Sequence, residues 1–114
     1  MREIKFRLFS KVAQSIIEWE QVKEKPHLIW DGRYIEMQFT GLKDSKGVEI
    51  YEGDVVLFNI DFGYGMQPVT AEIIFEDAGF KARSGAGTDF LKGLPACEVI
   101  GTIHENPELL EATK

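Results

Sequence analysis

Three features of the sequence predict a mainly β fold, a small barrel or roll with one or two short helices. Six or seven short segments are either alternately apolar and polar or continuously apolar, which is typical of strands. Turn-forming residues separate these segments at close intervals. The chain has 114 residues, enough for one domain with a core but not for two, so we treat residues 1–114 as a single domain.

The first predicted strand covers residues 3–9. Ile4, Phe6 and Leu8 fall on one face, and Lys5 and Arg7 fall on the other. This period of two is the pattern of a half-buried strand.

A short helix is predicted next, over about residues 15–25. Ser15 stands three residues before Glu18, the spacing of a capping box. Pro26 ends this helix, because the residue before a proline is disfavoured in the helical conformation. An alternating strand over residues 15–19 is the competing interpretation.

A β-hairpin is predicted around Asp31 and Gly32. These residues separate an apolar run at 28–30 from an alternating run at 34–39. Asp-Gly favours a type I′ turn, in which both central residues need a positive φ.

The middle of the chain predicts a turn followed by a buried strand. Asp44 and Gly47 suit the first and last positions of a type I turn. Gly53 then predicts a bend or bulge. Residues 55–60, VVLFNI, are continuously apolar apart from one asparagine, which indicates a central strand buried on both faces.

The second half of the chain predicts three more strands. Glycine and proline mark residues 61–68 as a loop. A strand follows, and the sequence EDAG at 76–79 predicts a tight turn into a short partner strand over 80–83. Residues 84–95 are predicted as a long, flexible connection and 97–104 as the last strand. Asn106 and Pro107 then predict the start of a final helical turn.

Two stretches resemble the YopX family of small proteins encoded by bacteriophages and prophages. They are QFTGLKDSKGVEIYEGDVV at residues 38–56 and EVIGTIHENPELLE at residues 98–111. The opening EIKFRLF is also similar, although it departs from the family at residues 8–10, and residues 11–31 match poorly. The resemblance implies an SH3-like barrel and a phage or prophage context, and it supplies no catalytic residue.

The motif residues are interpreted as architecture. Glycines and an aspartate would serve turns, apolar residues would pack, and a Gly-Asp pair would lead into the core strand. These residues are Thr40, Gly41, Leu42, Asp44, Gly47, Ile50, Tyr51, Gly53 and Asp54.

The charge argues against nucleic acid as the partner. Thirteen basic residues against nineteen acidic ones give a net charge of −6. Residues 1–50 carry +1, nine basic against eight acidic, and residues 51–114 carry −7, four against eleven. Nucleic-acid binders usually carry a basic face. The basic cluster of Arg2, Lys5 and Arg7 is interpreted as a solvated strand face rather than an anion contact.

The sequence offers little for catalysis or metal binding. His27, Cys97 and His104 are the only imidazoles and thiol and lack ligand spacing, so no metal or cofactor is expected. Cys97 and His104 could be interpreted as a catalytic pair of nucleophile and base, but a small buried thiol is the ordinary interpretation of Cys97.

Two other patterns are equally weak as signs of chemistry. Gly63, Gly65 and the segment 85–87 do not match a phosphate-binding loop and are interpreted as hairpin loops. Glu49, Glu52 and Asp54 could act as acid and base only if they share a cleft and have a raised pKa.

The best candidate for binding is the loop at 61–68. Phe62, Tyr64 and Met66 stand there among glycines, and aromatic and methionine side chains suit contacts with a partner. The alternative is that they cover one end of the barrel as a lid. Trp19 and Trp30 are either core or interface residues.

The leading hypothesis is a non-catalytic interaction module that binds a protein partner or itself. A nucleic-acid accessory protein, or an acidic mimic that binds a host DNA-binding protein, is the alternative, and an enzyme using clustered carboxylates is the third. A single cysteine, no long apolar run and an alternating N-terminus lead us to expect the bacterial cytoplasm and no membrane.

Overall fold

Two antiparallel sheets make up the protein. The computed structural model describes residues 4–85, 87–91, 94 and 96–111. Within this part of the chain the strands are β1 Phe6–Ser10, β2 Ser15–Ile17, β3 Tyr34–Lys43, β4 Glu49–Tyr51, β5 Asp54–Asp61, β6 Met66–Glu76, β7 Gly79–Ser84, β8 Gly87–Phe90 and β9 Glu98–Thr102. The helices are α1 Trp19–Val22, a 3₁₀ helix over Pro26–Trp30, and α2 Glu108–Glu111.

The sheets curl towards each other and form a half-barrel. The first has the strand order β2-β1-β3-β4, and the second has the order β8-β7-β6-β5-β9. Neighbouring strands are antiparallel in both. The prediction of a mainly β barrel or roll with short helices is therefore confirmed.

The core has two clusters. The larger one lies against the five-stranded sheet and consists of Ile50, Val56, Phe58, Val69, Ala71, Ile73, Ala82, Leu91 and Cys97. The smaller one belongs mainly to the four-stranded sheet and consists of Phe9, Met37, Phe39 and Tyr51. Burial of this apolar surface is the main force that stabilises the fold.

Strand β1 is confirmed, but the predicted burial of alternate residues is wrong, because Ile4 is 67% exposed while the successive residues Leu8, Phe9 and Ser10 are all buried. The polar face is not solvated either. Lys5 Nζ lies 2.6 Å from a Glu49 carboxylate oxygen, and Arg7 forms an ion pair with the buried Asp54. These two side chains reach carboxylates of β4 and of the start of β5, contacts between distant parts of the chain that no local pattern could show. Arg2 lies outside the described residues.

The segment 15–25 contains both predicted structures. Its first residues form β2, which pairs with β1, and its later residues form α1. The capping box is wrong, because Ser15 lies in the strand and the N-cap residue Glu18 makes no capping hydrogen bond through its side chain. The helix does end before Pro26, as predicted.

The predicted hairpin at Asp31 and Gly32 is wrong. Residues 28–30 belong to the 3₁₀ helix that begins at Pro26, whose ring fixes a φ suited to a first helical turn. The Asp31 carboxylate accepts a hydrogen bond from the backbone N–H of Arg33 at 3.0 Å and pairs with its guanidinium. Gly32 is not among the residues with positive φ, so no type I′ turn forms there.

Several local predictions are confirmed. The Gly47 N–H donates to the Asp44 carbonyl at 3.1 Å, which closes the predicted turn. β5 is an inner strand whose first residues are buried, as expected from its apolar run. Asp77 and Ala78 have φ of 53° and 62°, the positive values that the tight turn between β6 and β7 requires.

The predicted connection over 84–95 contains an additional strand, so a wholly irregular connection is wrong. Residues 87–90 form β8, which pairs with β7 and forms one edge of the five-stranded sheet. The short polar run Gly-Thr-Asp-Phe gives little strand signal by itself, and its partner strand holds it in place. The last strand and the final helical turn appear where they were predicted. In the described part of the chain, every helix is too short to cross a lipid bilayer.

Candidate functional site

The outer half of the β5–β6 hairpin projects from the five-stranded sheet. Residues 59–68 form this projection, which we call the arm. The loop predicted over 61–68 is shorter in the structure, because residue 61 belongs to β5 and residues 66–68 belong to β6. β9 pairs with β5 only from Asp54 to Leu57, and β7 pairs with β6 only from Glu72 onwards. Among the described strands, none therefore flanks the arm on either side.

Asp61 and two glycines shape the tip of the arm. One Asp61 carboxylate oxygen accepts hydrogen bonds from the backbone N–H of Gly63 at 2.7 Å and of Gly65 at 3.2 Å. Both glycines have φ above +100°, which other residues rarely adopt. The tip is therefore held by its own hydrogen bonds.

The three binding candidates from the sequence lie at this tip. The rings of Phe62 and Tyr64 stack with centroids 6.2 Å apart and an interplanar angle of 24°. Tyr64 is 75% exposed, Met66 62% and Phe62 44%. Of the two interpretations, lid or contact surface, this exposure favours the contact surface.

A second apolar surface lies at the other end of β6 and was missed in the sequence. It is a groove of about 840 Å³ between the two sheets, which we call the aromatic groove. Its lining residues are Thr40, Gly41, Leu42, Phe75, Ala78, Gly79, Phe80, Phe90 and Leu91. Three of them, at positions 40–42, belong to the central motif that the sequence interpretation assigned to architecture.

Three phenylalanines dominate the aromatic groove. Phe75 and Phe80 are cross-strand partners whose rings meet edge to face at 5.0 Å. Phe90 lies against Gly79, where a Cβ atom would be 3.0 Å from its ring. This arrangement depends on the register of β7 with β8, because Phe90 would have no fixed position if residues 84–95 were irregular.

Two motif residues near the groove determine the local structure of β3. The Thr40 hydroxyl donates to the Ile50 carbonyl at 2.7 Å and so joins β3 to β4. Gly41 was expected to serve a turn but lies inside β3, at an irregularity in its pairing with β4, with φ of +88°. Gly41 is itself part of the groove lining.

Asp44 connects the β3–β4 turn to β9. Its carboxylate accepts hydrogen bonds from the backbone N–H groups of Lys46, Val48 and Val99, at 2.8 to 2.9 Å. Burial raises its pKa, but these three hydrogen bonds outweigh burial and leave the pKa below the ordinary value. This geometry agrees with the structural role predicted for the residue.

Asp54 and Arg7 form the buried ionic contact between the sheets. Asp54 is fully buried and also accepts a hydrogen bond from the Tyr51 N–H at 2.8 Å. Burial raises its pKa to about 6, although the charge of Arg7 opposes the shift. The Arg7 guanidinium stacks 4.2 Å from the centroid of the Tyr51 ring.

The three carboxylates considered for catalysis do not line one cleft. Glu49 contacts Lys5 and Tyr51, and Asp54 has no exposed surface. Glu52 lines a cavity of about 200 Å³ that includes neither Glu49 nor Asp54, and burial raises the pKa of Glu52. The titratable residues that share this cavity are Glu36, Glu72 and His104.

Cys97 and His104 belong to different parts of the structure. Cys97 is buried in the larger core cluster. Burial and, to a smaller extent, the charge of Asp44 raise the pKa of its thiol. His104 stacks on Phe9 at 5.1 Å, and burial lowers its pKa. Over the described residues, no three of the His, Cys, Asp and Glu side chains are placed to hold a metal ion.

The remaining candidates lie apart from both apolar surfaces. Trp30 is 87% exposed at the end of the 3₁₀ helix, and Trp19 is half-buried at the start of α1. Gly85 lies in the turn between β7 and β8, as the hairpin interpretation predicts, and Gly87 is the first residue of β8.

The fold is similar to a solved structure of bacterial origin, the crystal structure of protein EF1440 from Enterococcus faecalis. The two chains share 27% sequence identity, and the match covers 96% of this chain and 99% of that one with a TM-score of 0.69. A comparison with curated protein sequences gives no match.

The sequence pattern of one protein family, described as YopX protein, matches residues 9–111. This range contains both stretches on which the resemblance rested, at 38–56 and at 98–111. It also contains the arm and the aromatic groove. The chain therefore belongs to the YopX family.

Proposed function

We propose that this protein is a non-catalytic interaction module that binds a protein partner, or a second copy of itself, through the arm. The observation that carries the proposal is the exposed pair of Phe62 and Tyr64 at the arm tip, with Met66 beside it. Tyrosine is enriched among the residues that dominate binding energy, and phenylalanine and methionine are common at interface centres.

The hydrogen bonds of Asp61 strengthen this proposal. Binding is weakened when a loop must first be ordered, and a loop that is already ordered avoids that entropic cost. The two N–H groups that donate to Asp61 fix the backbone between the aromatic residues. The tip thus presents its apolar side chains in a defined geometry.

The proposed setting is the cytoplasm of a bacterial host that carries a phage or prophage. The family resemblance supports the phage context, and the single, buried cysteine is compatible with a reducing compartment.

Protein is favoured over nucleic acid as the partner because much of the basic surface is already neutralised. Within the described residues, seven basic side chains form ion pairs with carboxylates, which leaves few cations for phosphates. They are Lys5, Arg7, Lys23, Arg33, Lys46, Lys81 and Arg83.

The test is affinity recovery of the tagged protein from a lysate of phage-carrying bacteria, with and without nuclease. The wild type is compared with a Phe62→Ser/Tyr64→Ser variant. Trp30→Ser is the matched control, because it removes an exposed aromatic residue outside the arm. We expect a protein partner that survives nuclease, is lost with the arm variant and is retained by the control.

Two results would contradict the proposal. Recovery that collapses with nuclease would favour the nucleic-acid alternative, and a DNA-binding host protein recovered equally by all variants would favour the acidic mimic. The arm variant should keep the melting temperature of the wild type, because its substituted side chains are exposed.

A further inference from the structure

We infer that two copies of the chain form a two-fold symmetric dimer in which the arm of each copy occupies the aromatic groove of the other. The inference rests on the proposed binding role of the arm and names a second copy as its partner. It assigns a ligand to the groove as well, namely the side chains of Phe62, Tyr64 and Met66.

The position of the two surfaces along β6 excludes insertion of an arm into its own groove. The arm tip adjoins Met66 at the start of β6, and the groove contains Phe75 near its end. The nine residue steps from Met66 to Phe75 span about 30 Å at roughly 3.3 Å per residue. Two copies placed side by side in opposite directions, however, would bring each arm to the partner's groove.

The buried area favours two reciprocal contacts over one. Phe75 is 51% exposed, Phe90 59% and Leu42 36%. The exposed fractions of these three side chains and of the three at the arm tip together correspond to about three whole side chains. At roughly 200 Å² per large side chain, covering them removes about 600 Å² of accessible surface. One such contact is too small for a stable interface, whereas two reach about 1,200 Å², the lower limit for specific complexes.

One pair of unlike charges also supports the contact, since the carboxylates beside the groove, Glu76 and Asp77, are already paired with Lys81. Asp61 is the single charged residue of the arm. Lys43 follows Leu42 at the groove, is exposed, and has no carboxylate within ion-pair distance among the described residues. An arm that enters the groove of a second copy would bring an unlike pair of charges together at the rim, which orients the contact.

A two-fold dimer also buries both apolar surfaces, the arm tip and the aromatic groove, of both chains. The interface is isologous because each copy contributes the same arm and the same groove. A head-to-tail chain of copies would instead leave one arm and one groove open at its ends and would continue to grow.

Sedimentation velocity at submillimolar concentration gives the first test. We expect the wild type to have the mass of a dimer, and Tyr64→Ser and Phe90→Ser each to have the mass of a monomer. Each substitution occurs in both contacts, so a tenfold loss per contact weakens dimerisation by about a hundredfold. Trp30→Ser, outside both surfaces, should remain a dimer.

Disulfide trapping gives the second test. A chain carrying Tyr64→Cys is mixed under oxidising conditions with a chain carrying Leu42→Cys. We expect a covalent dimer between the two chains. The control replaces Leu42→Cys by Val12→Cys, which is exposed but lies in the β1–β2 turn, and should give no such product. The native Cys97 is buried in both.

A monomeric wild type overturns the dimer, and so does a dimer that both Tyr64→Ser and Phe90→Ser leave intact. Larger assemblies that grow with concentration overturn the two-fold arrangement. The proposed function fails separately, since it requires only that some partner depend on the arm. A monomer that still captures an arm-dependent protein rejects the dimer alone.

Discussion

Gly53 shows how one residue can fix the path of the chain between the two sheets. It lies between β4 and β5 with φ of +90°. Its N–H donates to the Ile73 carbonyl at 2.8 Å, and its own carbonyl accepts from the Ile103 N–H at 2.9 Å. A Cβ atom here would lie 3.2 Å from His104 Nε2 and 3.3 Å from Met37 Cε. The backbone conformation therefore favours glycine, and a Cβ atom would in addition crowd these two side chains.

We predict that Gly53→Ala lowers the free energy of unfolding by about 2 to 3 kcal/mol, from the strained φ and the crowding together. Gly47→Ala isolates the first cause, because Gly47 has φ of +82° but open space around it, and should cost about 1 kcal/mol. Urea unfolding measures both. Equal losses for the two variants would contradict the role of crowding.

At the scale of elements, Asp44 joins the β3–β4 connection to β9. Its carboxylate accepts two N–H groups from its own turn and one from Val99, which is 55 positions away. The turn pattern in the sequence predicts the first two bonds. The third exists only because the half-barrel places β9 beside this turn.

Asp44→Ala should lower the free energy of unfolding by about 1 to 3 kcal/mol, because it removes three hydrogen bonds from partly buried N–H groups at about 1 kcal/mol or less each. The Val99 amide should also lose protection in hydrogen exchange. Asp89→Ala is the control, since Asp89 is an exposed carboxylate on β8, and it should change stability by less than about 0.5 kcal/mol. A Val99 amide that stays protected in Asp44→Ala would contradict the bridging role.

The arm is a second feature at the scale of elements, one in which strands extend beyond the sheet. β5 and β6 are both inner strands where they cross the sheet, yet they continue beyond their neighbours as a two-stranded ribbon. A ribbon without flanking strands is marginally stable in isolation. Its attachment to the buried parts of β5 and β6 and the Asp61 hydrogen bonds allow it to carry exposed aromatic side chains.

At the scale of the whole molecule, the ion pair of Arg7 and Asp54 joins the two sheets across the half-barrel. Asp54 starts β5 of one sheet, and Arg7 lies on β1 of the other. The raised pKa of Asp54, about 6 against an ordinary 3.8, means that the fold favours the protonated carboxyl over the carboxylate. Its contribution to stability is therefore complete below pH 3.8 and is lost as the pH rises through 6.

We predict that the stability of the wild type relative to Asp54→Asn falls by about 2 kcal/mol between pH 4 and pH 7, at about 1.4 kcal/mol for each pH unit of the shift that lies in this range. Urea unfolding of both proteins at several pH values measures the difference. Comparison with the variant removes the titration of other groups. A difference that rises with pH would contradict a raised pKa and indicate that Arg7 controls the carboxylate.

The sequence determined those parts of the fold that depend on neighbouring residues. The presence of strand β1, the turn from Asp44 to Gly47 and the β6–β7 hairpin follow from residue spacing and turn chemistry, and the structure contains all three. The hairpin predicted at Asp31 was wrong for a physical reason of the same kind, because Pro26 favours a 3₁₀ helix that takes up the residues of its first strand.

The sequence also identified Phe62, Tyr64 and Met66, because apolar residues in a glycine-rich loop are conspicuous without a structure. Only the tertiary structure decided that they project on an arm, and only it placed Leu42 and Phe90, 48 positions apart, in one groove. It likewise placed Lys5 and Arg7 against carboxylates instead of water. The physical reason is that local propensity acts over a few residues, whereas grooves and ion pairs between strands depend on how two curled sheets bury their apolar faces together.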